Sequence, residues 1–252
     1  MKVAVQIIAY NEEATIAAVL RNWIGKVHTI TVFHSDKPWH GQELPHDRTQ
    51  RICEDMQIEF IRLPWRSETE QRNWALARHY DFDYVLIVDA DELYTEADQF
   101  TLLETIGKRN DAEMHDNLWC YRVGRVETYF KTPEWIMDPP DRHRPVVAID
   151  PKKAIFTDCR IPSTQYQIPL PITMHHLSYL RDEMRLYHKL QQFEHHDRVK
   201  KGYFDTFKNW KPGDKTIVRA HESEPSIAVP GKMPEELCTL LEFNKNTLDM
   251  LK

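Results

Sequence analysis

The chain has 252 residues, of which 41% are hydrophobic and 29% charged, and its formal net charge is −6. This balance excludes a disordered chain, because disorder goes with fewer apolar residues and a larger net charge. The length predicts one compact domain, or one domain with an appendage.

The first predicted strand and helix lie at the N-terminus. Residues 3–9 form an apolar run broken only by Gln6, which is typical of a buried strand in a parallel sheet. Asn11 follows as a predicted helix N-cap. Behind it, one face of a predicted helix carries apolar residues at helical spacing: Ile16, Val19, Leu20, Trp23 and Ile24.

Three more strands and a second helix are predicted before residue 90. Residues 29–33 and 58–61 have the composition of strands. Ser67 opens a helix with an S-x-x-E capping box. Residues 84–88 form the fourth strand and run directly into Asp89. This alternation predicts an α/β fold with a mostly parallel central sheet flanked by helices, in which ligands gather at the carboxyl ends of the strands.

The second half of the chain is less regular. Residues 118–126, 146–149 and 168–174 are predicted strands, and residues 131–145, which hold four prolines, are predicted to form a long loop. A last helix is predicted to begin at Pro234. Before it, an amphipathic helix is predicted from the apolar positions Leu180, Met184, Tyr187, Leu190 and Phe193.

Cysteine spacing and hydropathy bear on the cellular location. The four cysteines, Cys53, Cys120, Cys159 and Cys238, form no C-x-x-C pair. This argues against a zinc or redox motif and favours reduced thiols in a cytosolic protein. No stretch reaches 18 apolar residues, and the N-terminus lacks the apolar region of a signal peptide. We therefore expect a cytoplasmic protein without a transmembrane segment.

The most informative pattern is V-D-A-D-E at residues 88–92, where the fourth strand ends. Residues i and i+2 of an extended chain face the same way, so Asp89 and Asp91 are predicted to aim two carboxylates at one point. Mg²⁺ and Mn²⁺ prefer oxygen ligands of this kind. A cation there could bridge a substrate diphosphate and stabilise the charge that develops as the diphosphate leaves. The alternative is an acidic turn that only caps the next helix.

Three segments in this order and spacing carry a family resemblance: I-A-Y-N-E-E at residues 8–13, Q-R-N at 71–73, and V-D-A-D-E at 88–92. Together they resemble the family-2-like glycosyltransferases of the GT-A (nucleotide-diphospho-sugar transferase) fold. The segment H-H-L-S-Y-L-R at 175–181 resembles the H-H-L-S-Y-x-R segment of a bacterial and phage branch of that group. His221, ahead of Pro225, resembles a degraded H-P-x-x-P element of the same branch.

The resemblance implies a set of donor-binding residues: Ala9, Tyr10, Glu12, Asp36, Arg72, Asp89 and Arg181. Tyr10 and Glu12 match positions that line the base and ribose, and Asp36 matches an acidic residue near the base. Arg181 could clamp phosphate or pair with a carboxylate. Arg72 is also placed to form an ordinary i, i+4 ion pair with Glu68.

The implied metal ligands are Asp91, Asp89 and His176, and the implied cofactor is Mn²⁺ or Mg²⁺. The alternative for His176 is a polar residue satisfied by its neighbours. Asp89 also matches the aspartate that contacts the sugar nucleotide. The resemblance thus predicts a divalent ion between this pair of aspartates and the donor diphosphate.

The catalytic base is the least defined position. An inverting transfer needs a carboxylate near the acceptor hydroxyl. The proline-rich segment offers Glu134, Asp138 and Asp141, and Asp158 lies further on, with no spacing rule that selects one. We predict Glu134 and Asp138, because Trp135 lies between them and aromatic side chains commonly stack on sugars.

The predicted function is metal-dependent, inverting transfer of a sugar from a nucleotide-diphosphate donor, with UDP expected, to a hydroxyl acceptor. A glycan or a lipid-linked sugar is the expected acceptor. Residues 181–215 carry nine Lys or Arg against six Asp or Glu, so a phage enzyme that glycosylates modified bases in DNA is left open. The competing enzyme class is a sugar-phosphate nucleotidyltransferase, although no glycine precedes Gly25 to form a triphosphate-binding loop.

The domain organisation follows from these patterns. Residues 1–180 are predicted to form the GT-A domain, with a nucleotide-binding half at 1–100 and an acceptor half at 101–180. Residues 181–252 are predicted to form a helical C-terminal extension. The sequence leaves the oligomeric state open.

Overall fold

The computed structural model describes residues 1–110, 120–164, 166–221 and 225–250. The elements, in chain order, are β1 (Val3–Ala9), α1 (Ile16–Trp23), β2 (Thr29–Ser35), α2 (Thr49–Asp55), β3 (Glu59–Leu63), α3 (Glu68–Arg78), β4 (Tyr84–Asp89), β5 (Glu92–Leu93), α4 (Glu96–Asn110), β6 (Cys120–Arg122), β7 (Arg125–Phe130), β8 (Thr132–Asp138), β9 (Val146–Ile149), β10 (Phe156–Asp158), β11 (Ile161–Pro162), β12 (Gln167–Pro169), β13 (Thr173–Tyr179), α5 (Glu183–Gln192), α6 (Tyr203–Asn209), β14 (Ile227–Pro230) and α7 (Glu235–Met250). A short 3₁₀ helix, His196–Arg198, lies between α5 and α6.

The central sheet has seven strands in the order β12-β6-β9-β4-β1-β2-β3. Strand β1 is parallel to both β2 and β4, and β2 is parallel to β3. Strand β9 runs antiparallel to β4 and β6. All seven residues of β1 are buried, as its apolar run predicts. The predicted fold class, α/β with a mostly parallel central sheet flanked by helices, is therefore confirmed.

A second sheet has five strands in the order β14-β8-β7-β13-β5. The prediction of a long loop over residues 131–145 is wrong in its first half, because β8 occupies an internal position of this sheet. Lys131, with φ of 63°, makes a tight turn from β7 into β8. Pro133 stands near the start of the strand, where a missing N–H is tolerated, and Pro139 follows its end.

The helix caps differ from the sequence-based expectation at α1 and agree with it at α3. Helix α1 begins five residues after Asn11, and its first N–H groups donate to the Asn244 side chain of α7, with Ala17 N at 2.9 Å from Oδ1. At α3 the Ser67 hydroxyl accepts from the N–H of Glu70 at 3.1 Å, as a capping box requires.

Several boundaries in the second half are corrected by the structure. The predicted strand at 118–126 is divided into β6 and β7, and residues 118 and 119 lie outside the described residues. The predicted strand at 168–174 is divided into β12 and β13 around Pro171. In α5 the buried positions include Leu186 and Leu190, whereas Met184 and Tyr187 are exposed. The predictions of β9 and of α7 after Pro234 are confirmed.

The three predicted sections of the chain are interleaved. The five-stranded sheet joins β5 from the first hundred residues to β7, β8 and β13, and then to β14. The C-terminal region is thus mostly helical but adds one strand to a sheet of the earlier part. The boundaries at residues 100 and 180 stay predictions. Within the described residues, no helix is long and apolar enough to cross a membrane.

Candidate active site

A cavity of about 570 Å³ opens at the carboxyl ends of β1, β2 and β4 and is bordered on its other side by α5. Its volume is in the range of about 300–1,000 Å³ that ligand pockets usually have. Eight of the predicted site residues line it, namely Ala9, Tyr10, Glu12, Arg72, Asp89, Asp91, His176 and Arg181. Sequence segments that are far apart along the chain therefore meet at one place.

The turn after β1 brings Glu12 into the cavity. Asn11 adopts a left-handed conformation with φ of 54°, which asparagine tolerates better than most residues. Its side chain holds the turn by accepting from Asp47 N at 3.1 Å and donating to the Pro45 carbonyl at 3.1 Å. The Glu12 N–H donates to the Thr49 hydroxyl at 2.8 Å. Asn11 thus shapes the site instead of capping α1.

One end of the cavity is walled by aromatic and aliphatic side chains. The Tyr10 hydroxyl accepts from Leu44 N at 3.1 Å and donates to the Leu44 carbonyl at 3.3 Å. Trp39 and Leu44 also line this end. Asp36 does not: it lies outside the cavity and faces His46, whose Nε2 is 3.5 Å from its Oδ1. The predicted contact between Asp36 and a bound base therefore has no support in the geometry.

In the middle of the cavity, Asp91 is surrounded by a lysine, an arginine and a histidine. Its Oδ2 lies 2.7 Å from Lys189 Nζ, 3.2 Å from Arg181 Nη2 and 3.6 Å from His176 Nε2. Glu12 shares these partners, with Lys189 at 3.0 Å and Arg181 at 2.7 Å. Burial raises the pKa of Asp91, but Lys189, His176 and Arg181 outweigh burial and lower this pKa below its usual value. Asp91 is therefore ionised at neutral pH.

Asp89 has a separate set of partners. Its Oδ1 accepts from Arg72 at 2.7 Å and its Oδ2 from Arg160 at 3.2 Å. Burial raises the pKa of Asp89, but the two guanidinium groups outweigh it and lower the pKa. Arg72 also pairs with Glu68 at 2.7 Å. Both interpretations of Arg72, the i, i+4 ion pair and the cavity position, thus hold together.

The two aspartates do not share one extended strand. Strand β4 ends at Asp89, and Asp91 lies in the turn before β5. The alternation of side chains along a strand therefore does not bring them together, which corrects the expectation from the sequence. Both still line the same open cavity.

The donor atoms next to Asp91 fit a divalent ion only in part. Two ligand atoms on one ion, each about 2.1 Å away, lie roughly 3.0–3.5 Å apart. The separation of 3.6 Å between Asp91 Oδ2 and His176 Nε2 is close to this value. Both oxygens of Asp89 are bonded to guanidinium groups, and Oδ2 of Asp91 is likewise bonded to Lys189 and Arg181, so an ion at either carboxylate competes with bound cations. Among the described residues, no group of three or more His, Cys, Asp or Glu could hold a metal ion.

Mg²⁺ is commonly bound by one or two carboxylates together with substrate phosphates, and this site offers one carboxylate, Asp91, beside the imidazole of His176. Asp91 and His176 are therefore the residues that could hold the ion, and oxygens of a bound diphosphate would supply further ligands. The predicted three-residue set of Asp89, Asp91 and His176 stays a prediction, and all three residues line the cavity.

The lining of the cavity also includes the polar residues Thr128, Ser178 and Asp141. Asp141 Oδ2 accepts from Arg219 Nη1 at 2.6 Å, and its Oδ1 accepts from His143 N at 2.9 Å. Arg219 is itself fixed by the Ser226 hydroxyl, 3.1 Å from its Nε.

The two carboxylates that the sequence analysis selected as catalytic are placed elsewhere. Glu134 and Asp138 are exposed on β8 and do not line the cavity. Trp135, which suggested them, packs its ring against Trp210 at 5.2 Å. Of the candidates weighed from the sequence, Asp141 is the one that lines the cavity, whereas Asp158 does not.

Two charged residues of the site carried no sequence signal that singled them out. Arg160 is buried and contacts Asp89, Glu92 and the Val146 carbonyl, 2.8 Å from its Nε. Arg185 on α5 pairs with Glu13. The ion pairs of Arg160 and Arg185 join residues more than 60 positions apart, so local patterns do not reveal them. Lys189, by contrast, follows the 175–181 segment that carries the family resemblance, and the structure places it on α5 at the cavity.

Comparison with known proteins gives limited further information. No protein-family model matches this chain, and no curated protein sequence matches it. The solved structures that it resembles include TarS of S. aureus, with 20% identity and a TM-score of 0.35 over 50% of this chain and 22% of TarS. Another is GalNAc-T7 solved with UDP, GalNAc and Mn²⁺, with 10% identity and a TM-score of 0.48 over 70% of this chain and 44% of GalNAc-T7.

The chain spans less than half the length of either protein. At these identities and TM-scores the likeness carries no argument about chemistry. The interpretation of the site therefore depends on the contacts of this chain alone.

Proposed function

We propose that the chain is a glycosyltransferase of the GT-A fold that binds a nucleotide-diphosphate sugar in the cavity and transfers the sugar to a hydroxyl acceptor. The observation that supports this most strongly is the placement of Asp91 and His176, with ligand atoms 3.6 Å apart, beside Arg181 and Lys189 at the carboxyl end of a parallel sheet. This arrangement suits a diphosphate that is bound together with a divalent ion.

The lining of the cavity suggests how the donor lies in it. The base fits the end walled by Tyr10, Trp39 and Leu44, because planar rings stack on aromatic surfaces. The diphosphate then reaches Arg181 and Lys189 in the middle. The sugar extends toward Arg72 and Asp89, whose oxygens and nitrogens can contact hydroxyl groups.

The charge balance in the middle of the cavity favours a metal-dependent reaction. The two cations there, Arg181 and Lys189, already face an equal number of carboxylates, Glu12 and Asp91. A donor diphosphate brings roughly two further negative charges, and burial without compensation would be costly. A divalent ion, Mn²⁺ or Mg²⁺, would supply the missing positive charge and would stabilise the departing diphosphate.

The acceptor is proposed to bind next to Asp141. Asp141 lines the cavity, and each of its oxygens keeps a second lone pair beyond the bonds from Arg219 and His143. We assign Asp141 as the general base that takes the proton of the acceptor hydroxyl in an inverting transfer. Arg219 would hold the carboxylate in place.

For the acceptor we propose a range of molecules that carry a hydroxyl group. A glycan or a lipid-linked sugar is the expected acceptor, and a modified base in DNA is the alternative from the branch resemblance. A sugar-phosphate nucleotidyltransferase is less well supported, because the turn at residues 10–15 after β1 contains no glycine to wrap a triphosphate. The cytoplasmic location inferred from the sequence also stays a prediction.

Calorimetric titration of UDP in the presence and absence of Mn²⁺ tests the proposal. We expect Mn²⁺ to strengthen UDP binding to the wild type, and we expect Asp91→Asn to remove this gain, which we put at about 100-fold because a metal ligand is lost. Asp55→Asn, which changes an exposed carboxylate on α2 away from the cavity, serves as the matched control. Equal Mn²⁺ dependence in wild type and Asp91→Asn would refute the proposed site. Tighter binding of UTP than of UDP-sugars would favour the nucleotidyltransferase.

A further inference from the structure

Lys189 contacts the same carboxylate oxygen that the proposed metal site requires. Its Nζ lies 2.7 Å from Asp91 Oδ2 and 3.0 Å from Glu12 Oε1. An ion held between Asp91 and His176 would lie about 2 Å from that oxygen. The ammonium group and the ion would then be only a few ångströms apart.

Two positive charges at that separation repel each other strongly in a buried setting. The side chain of Asp91 is only 3% exposed, so water screens the interaction little. In the free protein Asp91 is already neutralised by Lys189 and Arg181. A divalent ion bound to Asp91 Oδ2 would add two positive charges beside the Lys189 ammonium group, and without a further anion this repulsion opposes its binding.

A bound diphosphate offers Lys189 another anionic partner. Lys189 lies on α5 at the cavity wall, and its side chain is 24% exposed, so its end can move within the cavity. A lysine ammonium sits on a flexible four-carbon stem and binds phosphate as a point charge. When a diphosphate binds beside it, the ammonium can shift from Asp91 to a phosphate oxygen and leave the carboxylate free.

We propose that Lys189 couples metal binding to donor binding, by competing with the divalent ion for Asp91 in the free protein and transferring to the diphosphate when the donor enters. The ion and the diphosphate then bind together, and the free protein holds the ion weakly. This inference rests on the proposed donor site and adds a positioning role for Lys189.

The test is a calorimetric titration of Mn²⁺ into the wild type and into Lys189→Met, each with and without UDP. In the wild type, UDP should raise the affinity for Mn²⁺ within the range of about 5- to 150-fold that is usual for linked sites. In Lys189→Met, Mn²⁺ alone should bind about tenfold tighter, because the competing charge is gone. UDP alone should bind to Lys189→Met more weakly than to the wild type. The factor by which UDP raises the affinity for Mn²⁺ should also be smaller in this variant.

These opposite shifts separate the proposal from general damage, which would weaken both ligands. Lys189→Arg keeps the charge and should bind Mn²⁺ alone as weakly as the wild type. Lys108→Met removes a lysine from a surface ion pair with Glu104 and should change neither affinity. Lys189→Gln is the second neutral variant if Lys189→Met fails to fold.

The inference is overturned if Lys189→Met binds Mn²⁺ alone no tighter than the wild type does. If the wild type in that case still binds UDP and Mn²⁺ together, the proposed function stands and only the coupling role of Lys189 is lost. If the wild type binds neither ligand, the proposed function fails and this inference fails with it.

Discussion

At the scale of single residues, the site consists of buried charges that neutralise one another. Asp91 is held by Lys189 and Arg181, and Asp89 by Arg72 and Arg160. Removal of one member of such a group leaves an uncompensated charge, which is strongly destabilising in a buried position. Asp to Asn keeps the shape of the side chain but removes its charge, so the thermal stability of each such variant is measured beside its activity.

Asp141 provides the sharpest test of catalysis at this scale. We expect Asp141→Asn to lower the rate of sugar transfer by about 10²–10⁴-fold, the usual contribution of a general base, while the affinity for UDP is unchanged. The measurement is a comparison of kcat and UDP binding in the two proteins.

The controls for this test are Asp138→Asn and Glu134→Gln, which change exposed carboxylates on β8. Both should retain transfer close to the wild type. Near-normal turnover in Asp141→Asn, or a large loss in either control, would contradict the assignment of the base.

Part of the site could be predicted from the sequence, for a physical reason. Asp89 and Asp91 follow a buried strand, and Arg181 follows another, so local patterns place them at strand ends. Arg160 and Asp141 enter through contacts with residues 71 and 78 positions away. No local periodicity encodes such contacts. Glu134 and Asp138 were selected because Trp135 lies between them, but Trp135 packs against the hydrophobic cluster of the second sheet and does not face the cavity.

At the scale of elements, the loop at residues 36–47 is fastened to α5. The Gln192 side chain donates to the Gln42 carbonyl at 2.7 Å, and His40 N donates to the Gln192 carbonyl at 3.3 Å. The rings of His40 and His196 stack at 4.2 Å. This loop carries Trp39 and Leu44, so its attachment to α5 positions the wall against which we expect the base to bind.

Gly41 makes this attachment sensitive to substitution. Its φ is +72°, and a Cβ there would lie 2.8 Å from the backbone oxygen of Gln191. We expect Gly41→Ala to push the loop away from α5 and to weaken UDP binding by about tenfold, since ordered contacts of the base wall are lost. Isothermal titration with UDP and Mn²⁺ measures the effect.

Gly25→Ala is the matched control. Gly25 also has a positive φ, +79°, but a Cβ there meets nothing within 4 Å. Both variants carry the strain of a left-handed alanine, about 1–2 kcal/mol, and only one has the close contact. If both weaken UDP binding equally, or neither does, the loop attachment has no role in donor binding.

The predicted elements agree best with the structure where one hydrophobic pattern dominates the local sequence. Strands β1 and β4 are continuous apolar runs, and the structure has them as predicted. Strand β8 was missed because prolines flank it, although Pro133 and Pro139 stand where the sheet does not need their N–H groups. Helix α1 was predicted from its apolar face, but its N-terminal cap comes from Asn244, more than 220 positions away.

At the scale of the whole molecule, the site joins the two ends of the chain. Glu12 and Glu13, directly after β1, pair with Arg181, Arg185 and Lys189, which precede or lie on α5. Helix α7 packs on α1 and supplies Asn244 to its N-terminus. Residues 181–192 are therefore a structural component of the cavity, which is complete only when they are folded onto β1 and β4.

The most direct measurement of the central claim is anomalous diffraction at the manganese edge from crystals grown with Mn²⁺ and UDP. We predict a single strong peak in the cavity, about 2 Å from Asp91 Oδ2 and His176 Nε2, with the diphosphate beside it and the base between Tyr10 and Trp39. A diphosphate bound outside the cavity, or an ion in the cavity that does not contact Asp91, would contradict the account.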